Sequence, residues 1–289
     1  MSPRSAARVQ LLGAAFLFST GGAAIKAAGM SGWQIAGFRS GIAAVALLLL
    51  APAARRGWSL PATLVGIAYA GCLVLFVLAN RLTTAANTIF LQSTAPLYLL
   101  FLGPWLLHEP VRRQDVGFML VVGAGLALFF VGVQRPAVTA PDPVRGNLLA
   151  LASGFFWALA IAGLRWLSAR PDRGSPIAAV VSGNITACLA TLPMALPLSS
   201  PSLGDWAIVS YLGIFQIALA YILVTTAIQR IPALEASVIL LLEPALNPFW
   251  AWLVQHETPG AWALLGGAII LGATTFKSWN ESRATAPVT

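Results

Sequence analysis

Long apolar runs separated by short polar segments make up almost the whole chain. A helix needs roughly 20 mostly apolar residues to cross the hydrocarbon core of a bilayer. Ten runs of about that length fall at 9–29, 32–52, 61–80, 84–105, 114–134, 146–167, 175–198, 205–228, 233–255 and 258–279. They do not alternate apolar and polar residues with period two, which favours helices over barrel strands. The pattern predicts an all-α integral membrane protein with ten transmembrane helices.

The composition supports this interpretation and excludes several functions. The chain is 58% hydrophobic and 9% charged, whereas soluble domains are roughly 25% charged. The connections leave no room for a soluble catalytic domain, so we expect no enzyme activity and no cofactor. Arg4 and Arg8 precede the first run as they would in a signal peptide. Nine further runs follow, so we expect the first run to remain as a transmembrane helix.

The basic residues are unequally divided between the two sides of the predicted bundle. With both termini in the cytoplasm, only Arg81, Arg135 and Arg145 fall outside. The cytoplasmic side then carries Arg4, Arg8, Arg55, Arg56, Arg112, Arg113, Arg165, Arg170, Arg173, Arg230, Lys277 and Arg283. This asymmetry is the positive-inside pattern. It predicts an inner (plasma) membrane protein with cytoplasmic termini. The net charge of +8 is then a topology signal, and we expect no nucleic-acid partner.

The chain contains an internal repeat. Pro96 is followed thirteen positions later by Glu109, and Pro244 is followed thirteen positions later by Glu257. The aromatic segment 16–18 also aligns with 155–157. Five runs per half is an odd number, so the halves 1–138 and 139–289 must enter the membrane from opposite sides. Such inverted repeats are typical of secondary transporters that work by alternating access.

These features resemble the drug/metabolite transporter superfamily, and within it the EamA-type proteins with ten helices. The resemblance rests on the duplicated spacing, the Leu-Glu-Pro at 242–244, Arg39 and the glycine-rich fifth and tenth runs. One departure is that His108 and His256 precede the loop glutamates, where glycine is more usual. The resemblance implies helices arranged around a central cavity and export of amino acids or related metabolites. The narrower match is to YddG-type amino-acid exporters.

Three ionisable side chains fall within the runs, where charge is costly and suggests function or a specific partner. Lys26 is near a run end, and we expect its side chain to snorkel to the interface. Arg39 could snorkel, pair with an acid or bind a substrate carboxylate, and the resemblance implies a framework role. Glu243 is either a proton-coupling or substrate-ammonium site, or a buried acid hydrogen-bonded to neighbouring helices.

Polar and aromatic residues near the predicted midplane are the candidates for substrate binding. They are Ser19, Gln92, Ser93, Tyr98, Trp157, Gln216, Tyr221 and Glu243. Gln92 and Gln216 could instead join helices to one another. Trp157 could face either lipid or a cavity. We also expect close helix contacts at Gly13, Gly21, Gly22, Gly37, Gly41, Gly117, Gly123, Gly125, Gly266, Gly267 and Gly272.

The function predicted from the sequence is export of small metabolites, chiefly aromatic or other neutral amino acids. The alternatives are a multidrug or toxic-cation exporter and, less well supported, a membrane-embedded lipid enzyme. The two His-Glu pairs fall on opposite sides, so they cannot share a metal ion, and capping or packing against the facing half is expected. The predicted partners are the small-molecule substrate and the lipid bilayer, with a monomer as the transport unit.

Overall fold

The fold is helical throughout the part of the chain that the structure describes. The structure is a computed structural model that describes residues 3–106, 113–131, 135–198, 200–227, 230, 236 and 239–285. Within these ranges there is no strand, and the one isolated β-bridge joins Ala137 to Ala140. The predicted all-α membrane fold is confirmed.

Seven helices lie in the described part of the first half. They are α1 (Pro3–Ser19), α2 (Gly21–Ala27), α3 (Gly32–Leu50), α4 (Leu60–Leu82), α5 (Ala85–Gln92), α6 (Ala95–Leu106) and α7 (Arg113–Val131). A short 3₁₀ turn, Pro52–Arg55, follows α3. The interruptions between α1 and α2, and between α5 and α6, fall inside predicted transmembrane runs.

Six helices and one π-helical segment have both ends within the described part of the second half. They are α8 (Pro143–Ser168), α9 (Pro176–Ala195), α10 (Leu203–Tyr211), the π segment (Leu212–Leu219), α11 (Ala220–Ala227), α12 (Leu242–Gln255) and α13 (Ala261–Thr285). A 3₁₀ turn, Pro171–Arg173, precedes α9. The chain runs from α10 through the π segment into α11 without interruption.

Among the described residues, seven helical stretches are long and apolar enough to cross a membrane. They are Pro3–Ala27, Gly32–Leu50, Leu60–Leu82, Ala85–Leu102, Pro143–Ser168, Pro171–Ala195 and Leu203–Ala227. Two shorter apolar helices, Asp115–Val131 and Ala261–Lys277, lie at the predicted fifth and tenth runs. The ninth run is seen as α12, and residues 233–235 and 237–238 of that run lie outside the described ranges. The protein is therefore a multi-pass membrane protein, and the count of ten spans stays a prediction.

Side-chain caps fix where several spans begin. The Ser31 hydroxyl accepts from the Gln34 amide, and the Gln34 side chain accepts from the Ser31 amide, which together form a capping box for α3. Thr84 caps α5, and Asp142 caps α8 just before Pro143. A cap of this kind contributes about 1 kcal/mol. It also pairs amide donors that the helix itself leaves free.

Glycines allow two close helix crossings. At the crossing of α4 and α9, a Cβ on Gly183 would lie 2.7 Å from the carbonyl oxygen of Gly66. At the crossing of α7 and α13, a Cβ on Gly266 would lie 2.6 Å from the carbonyl oxygen of Gly125. The predicted contact role of Gly125 and Gly266 is confirmed. It is wrong for Gly117, Gly123 and Gly272, where a Cβ would meet no described atom within 4 Å.

The connections gather at two ends of the bundle. One end carries 28–31, 83–84, 135–142 and 256–260, and we call it the ion-pair end after the Lys26–Glu257 pair that lies there. The other end carries 51–59 and 169–175, and we call it the arginine end. Backbone hydrogen bonds join the connections at each end. The Asp142 amide donates to the Leu82 carbonyl at the ion-pair end, and the Ser175 amide donates to the Gly57 carbonyl at the arginine end.

Candidate substrate cavity

A cavity of about 120 Å³ lies among the central parts of the helices. Helices of both halves contribute its lining. The lining residues are Phe18, Arg39, Tyr69, Cys72, Leu73, Phe76, Gln92, Trp157, Gln216, Ile217, Tyr221 and Glu243. The structure thus brings six of the predicted functional residues into one wall. These six are Arg39, Gln92, Trp157, Gln216, Tyr221 and Glu243.

Arg39 is buried, with only 1% of its surface exposed. Its Nη2 donates to the Leu73 carbonyl at 3.0 Å, and its Nε has no hydrogen-bond partner in the described part of the chain. The idea that Arg39 snorkels to the interface is therefore wrong. No described carboxylate lies within ion-pair distance of the guanidinium. The cavity is where its remaining donors can find partners.

Glu243 lies in the first turn of α12 and faces the same cavity. A helix N-terminus is a favourable place for negative charge because the first amides point towards it. The described residues give the Glu243 carboxylate neither a hydrogen bond nor an ion pair. A structural acid that is hydrogen-bonded to neighbouring helices would need such contacts. Arg39 and Glu243 therefore place opposite charges in one cavity without neutralising each other.

Aromatic rings form a continuous series of contacts along the cavity wall. Phe18 meets Tyr221 edge to face, with ring centroids 5.4 Å apart. Tyr221 meets Tyr69 in the same way at 5.6 Å, and Tyr69 lies 6.3 Å from Trp157. Edge-to-face pairs are a favoured arrangement of aromatic rings. Trp157 and Tyr221 therefore belong to the cavity wall, and the alternative of a lipid-facing Trp157 is wrong.

Gln92 combines the two roles that the sequence left open, whereas Gln216 lines the cavity. Gln92 Nε2 donates to Ser153 Oγ at 2.9 Å and lies 3.3 Å from Cys72 Sγ, so its side chain joins α5, α8 and α4. Gln216 is 7% exposed, and its Oε1 has no partner among the described residues. An unsatisfied buried amide oxygen is costly. Gln216 can therefore offer an acceptor to a bound molecule.

The structure places three candidate residues outside the cavity lining. The Ser19 hydroxyl accepts from Trp250 Nε1 at 2.9 Å and donates to the Phe16 carbonyl. Ser93 donates to the Ile89 carbonyl at 2.7 Å. Tyr98 donates to the Leu151 carbonyl at 3.3 Å. Each hydroxyl is thus satisfied within the protein, away from the cavity.

Six lining residues were not identified from the sequence. They are Phe18, Tyr69, Cys72, Leu73, Phe76 and Ile217. In the sequence, all six look like ordinary members of apolar runs. Only Phe18 had a usable signal, because the repeat lays it over Trp157, which also faces the cavity.

Helix irregularities position the polar lining. Gln92 ends α5 at the break before α6, and Gln216 lies in the π segment. Glu243 follows the break at Leu241. When Pro96 is laid over Pro244, the breaks at Ser93 and Leu241 occupy equivalent positions. Irregular backbone within a membrane is tolerated where it is buried in protein or lines a cavity.

The ion-pair end is closed by buried polar contacts. Lys26 Nζ lies 3.2 Å from Glu257 Oε1, and both side chains are at most 4% exposed. Lys26 also donates to the carbonyls of Thr83 and Thr139. The second Glu257 oxygen accepts from the Ala85 amide at 2.9 Å. The expectation that Lys26 snorkels to the interface is wrong, because its ammonium group is satisfied inside the protein.

The contacts of Glu257 confirm that this glutamate packs against the facing half. The matching pair, 108–109, lies outside the described ranges. Over the ranges that are described, no group of three or more His, Cys, Asp or Glu could hold a metal ion.

A comparison with protein families identifies the chain. The model of the EamA-like transporter family matches residues 7–131 and 144–279. The chain belongs to the EamA-like transporter family. This confirms the resemblance to the drug/metabolite transporters, to which this family belongs. The narrower match to YddG-type exporters stays a prediction.

Similar proteins have transporter names. An uncharacterized transporter of Methanothermobacter thermautotrophicus is 23% identical over 222 residues, covering 72% of this chain and 60% of that protein. The uncharacterized transporter YetK of Bacillus subtilis is 28% identical over 158 residues, covering 52% of this chain and 47% of that protein. The chain thus spans about half to three fifths of the length of these relatives. A solved crystal structure matches with a TM-score of 0.63 at 20% identity, covering 98% of this chain and 99% of that one, which supports the fold.

In this member of the EamA-like family, the two repeats contribute equivalent aromatic residues to the cavity but different charged ones. Phe18 and Trp157, which align between the repeats, both line it. The residue aligned with Glu243 is Ala95, so only the second half supplies an acid. Arg39 is supplied by the first half. A bound molecule would therefore meet a positive group from one half and a negative group from the other.

Proposed function

We propose that this protein is a secondary transporter that exports neutral amino acids, including aromatic ones, by alternating access. The observation that supports this most directly is the cavity that holds both Arg39 and Glu243 without pairing them. A zwitterion carries the two complementary charges. Its binding would satisfy both side chains at once, whereas a singly charged solute would leave one of them without a counter-charge.

The recognition we propose assigns one role to each part of the wall. The Arg39 guanidinium binds the substrate carboxylate, because its planar set of donors matches carboxylate geometry. The Glu243 carboxylate binds the ammonium group through charge-assisted hydrogen bonds. Tyr69, Trp157 and Tyr221 pack against the substrate side chain. Gln216 accepts a further hydrogen bond.

The cavity size also favours a small solute. Pockets for drug-sized ligands have volumes of roughly 300–1,000 Å³. The cavity of about 120 Å³ is below that range. An amino acid therefore suits the observed space better than a large drug does.

We further propose that the halves 1–138 and 139–289 move against each other around this site. At the ion-pair end, Lys26 of the first half is bonded to Glu257 of the second. Gln255 Nε2 donates to the Ala23 carbonyl at 2.8 Å and adds another link. These bonds would have to separate before the cavity could open to that side. The positive-inside pattern assigns that side to the exterior and both termini to the cytoplasm.

The test is uptake of a radiolabelled amino-acid panel, aromatics included, into proteoliposomes, with and without a pH gradient. Saturable uptake of some members supports the proposal, and dependence on the gradient indicates proton coupling. Arg145→Gln serves as the control for substitutions of cavity residues, because Arg145 is exposed and distant from the cavity. If correctly folded protein takes up no member of the panel, the amino-acid assignment is wrong.

A second candidate is export of lipophilic cations. Glu243 together with aromatic rings is the observation that favours it, because ring faces attract cations. Arg39 opposes it, because its charge repels a cation in the same cavity. Arg39→Gln separates the two functions. It should weaken amino-acid transport strongly, whereas a cation exporter should keep or gain activity.

A further inference from the structure

A second cavity lies at the arginine end, where connections of the two halves meet. Its volume is about 560 Å³, and its lining consists of Pro52, Ala53, Arg55, Arg56, Gly57 and Ser175. The Ser175 amide donates to the Gly57 carbonyl at 2.9 Å. The Ser59 hydroxyl donates to the Arg173 carbonyl. Hydrogen bonds thus join segments 51–59 and 169–175, and the pocket lies between them.

This pocket carries an excess of positive charge. Arg55 is held at its rim, because Nε donates to the Leu48 carbonyl at 2.7 Å and Nη2 to that of Leu49 at 3.3 Å. Arg56 is exposed, and its guanidinium has no hydrogen-bond or ion-pair partner within the described ranges. The acid in these two segments, Asp172, lies 3.4 Å from its neighbour Arg173. Among the described residues, the two lining arginines therefore have no counter-charge.

Apolar side chains continue directly from the pocket. Leu49 and Leu50 at the end of α3 are 66% and 58% exposed, and Leu60 at the start of α4 is 73% exposed. Trp58 lies between them in sequence, is 45% exposed, and donates its indole N–H to the Ala54 carbonyl at 3.0 Å. Tryptophan is enriched at the membrane interface. A basic pocket thus borders exposed apolar side chains and a tryptophan, a combination typical of a membrane interface.

We propose that this pocket binds the headgroup of an anionic phospholipid. Arg55 and Arg56 bind the phosphate, and the acyl chains lie along Leu49, Leu50 and Leu60. Membrane orientation alone requires only positive charge on this side, and does not require a formed pocket with an adjoining apolar surface. Basic pockets at the cytoplasmic ends of helices are suited to anionic headgroups. Because the two connections belong to different halves, the lipid would bridge them.

The adjoining leucines are the reason to assign a lipid rather than a free phosphate. A soluble anion would gain nothing from exposed apolar side chains. A phospholipid would gain from both features at once. Its acyl chains also keep the headgroup at the depth of the pocket.

The test measures lipids that remain bound to the purified protein by native mass spectrometry. Phosphatidylglycerol and phosphatidylcholine are titrated separately onto the full chain. We expect phosphatidylglycerol to bind in preference, and Arg56→Gln to weaken that binding about fivefold. Arg56→Lys should keep most of it. Arg145→Gln, which removes an exposed arginine at the opposite end, should leave it unchanged.

Three outcomes would overturn the proposal. The first is equal binding of the two lipids by the native protein. The second is unchanged phosphatidylglycerol binding in Arg56→Gln. The third is displacement of the lipid by millimolar inorganic phosphate, which would indicate a site for a free anion. Variants are compared only when their thermal melting matches that of the native protein, and Arg56 is exposed, so its replacement should not impair folding.

Discussion

The ammonium group of Lys26 lies 3.2 Å from Oε1 of Glu257, and neither side chain reaches the surface. Lys26 belongs to α2 of the first half, and Glu257 follows α12 of the second. The same glutamate also accepts from the first amide of α5. One carboxylate therefore ties together three elements at the ion-pair end, which we propose must separate before the cavity can open there.

The first prediction concerns the stability contributed by this pair. Removing one partner of a buried ion pair leaves the other charge without compensation, at a cost of about 3–5 kcal/mol. Glu257→Gln and Lys26→Met should therefore each lower thermal stability markedly in detergent. The double variant should lose much less than the sum of the two. Strictly additive losses would contradict a direct interaction.

The second prediction uses Cys72 as a native probe of the cavity. Cys72 lines the cavity and is 4% exposed. In a Cys188→Ala background, a membrane-impermeant thiol reagent applied from the outside should react with it slowly. Glu257→Gln should increase that rate, because the ion-pair end would open more often. Equal rates in the two proteins would contradict a gating role for the pair.

The third prediction concerns Arg39. If it binds the substrate carboxylate, Arg39→Gln should weaken amino-acid binding by about tenfold or more, because a charge-assisted hydrogen bond is lost. Arg39→Lys should retain part of the affinity. Concentration-dependent uptake by proteoliposomes measures the effect. Arg39 also donates to the Leu73 carbonyl, so melting temperatures must be compared before affinity is interpreted.

The fourth prediction concerns Glu243. Glu243→Gln preserves the size and shape of the side chain and removes its charge. It should reduce uptake of amino acids, with the loss appearing mainly as weaker binding if the carboxylate holds the ammonium group. Loss of the response to a pH gradient, with binding retained, would instead identify Glu243 as a coupling site. Unchanged transport in both assays would eliminate a functional role for its charge.

The fifth prediction concerns the crossing of α4 and α9. A methyl group on Gly183 would lie 2.7 Å from the Gly66 carbonyl oxygen, which forces the helices apart. Gly183→Ala should therefore lower stability by about 1–3 kcal/mol. Gly123→Ala is the matched control, because a Cβ there meets no described atom within 4 Å. Similar melting temperatures for both variants would argue against a close crossing.

Part of the candidate site could be predicted from residue type and depth alone. Arg39 and Glu243 stand out because charge within a membrane span is costly. Their separation within one cavity could not be predicted, since it depends on how α3 and α12 lie across the bundle. The same depth criterion selected Ser19, Ser93 and Tyr98, whose hydroxyls bond to neighbouring groups instead. Depth identifies a layer of the protein, and packing decides which members of that layer meet.

The sequence by itself determined that this protein resides in a lipid bilayer and that its fold is all-helical. Runs of apolar residues long enough to span a bilayer can only be helices when they are not paired as a barrel. The internal repeat could also be identified from the sequence. The spacing from Pro96 to Glu109 recurs from Pro244 to Glu257, and both copies lie in one chain.

Only the tertiary structure decided the partners of the charged residues. Lys26 illustrates this most clearly, because a lysine near a span end can either snorkel to water or find an acid from another helix. Both choices satisfy the same local pattern. The balance depends on whether Glu257, distant in the sequence, is brought within bonding distance, and that is a property of how the two halves pack together.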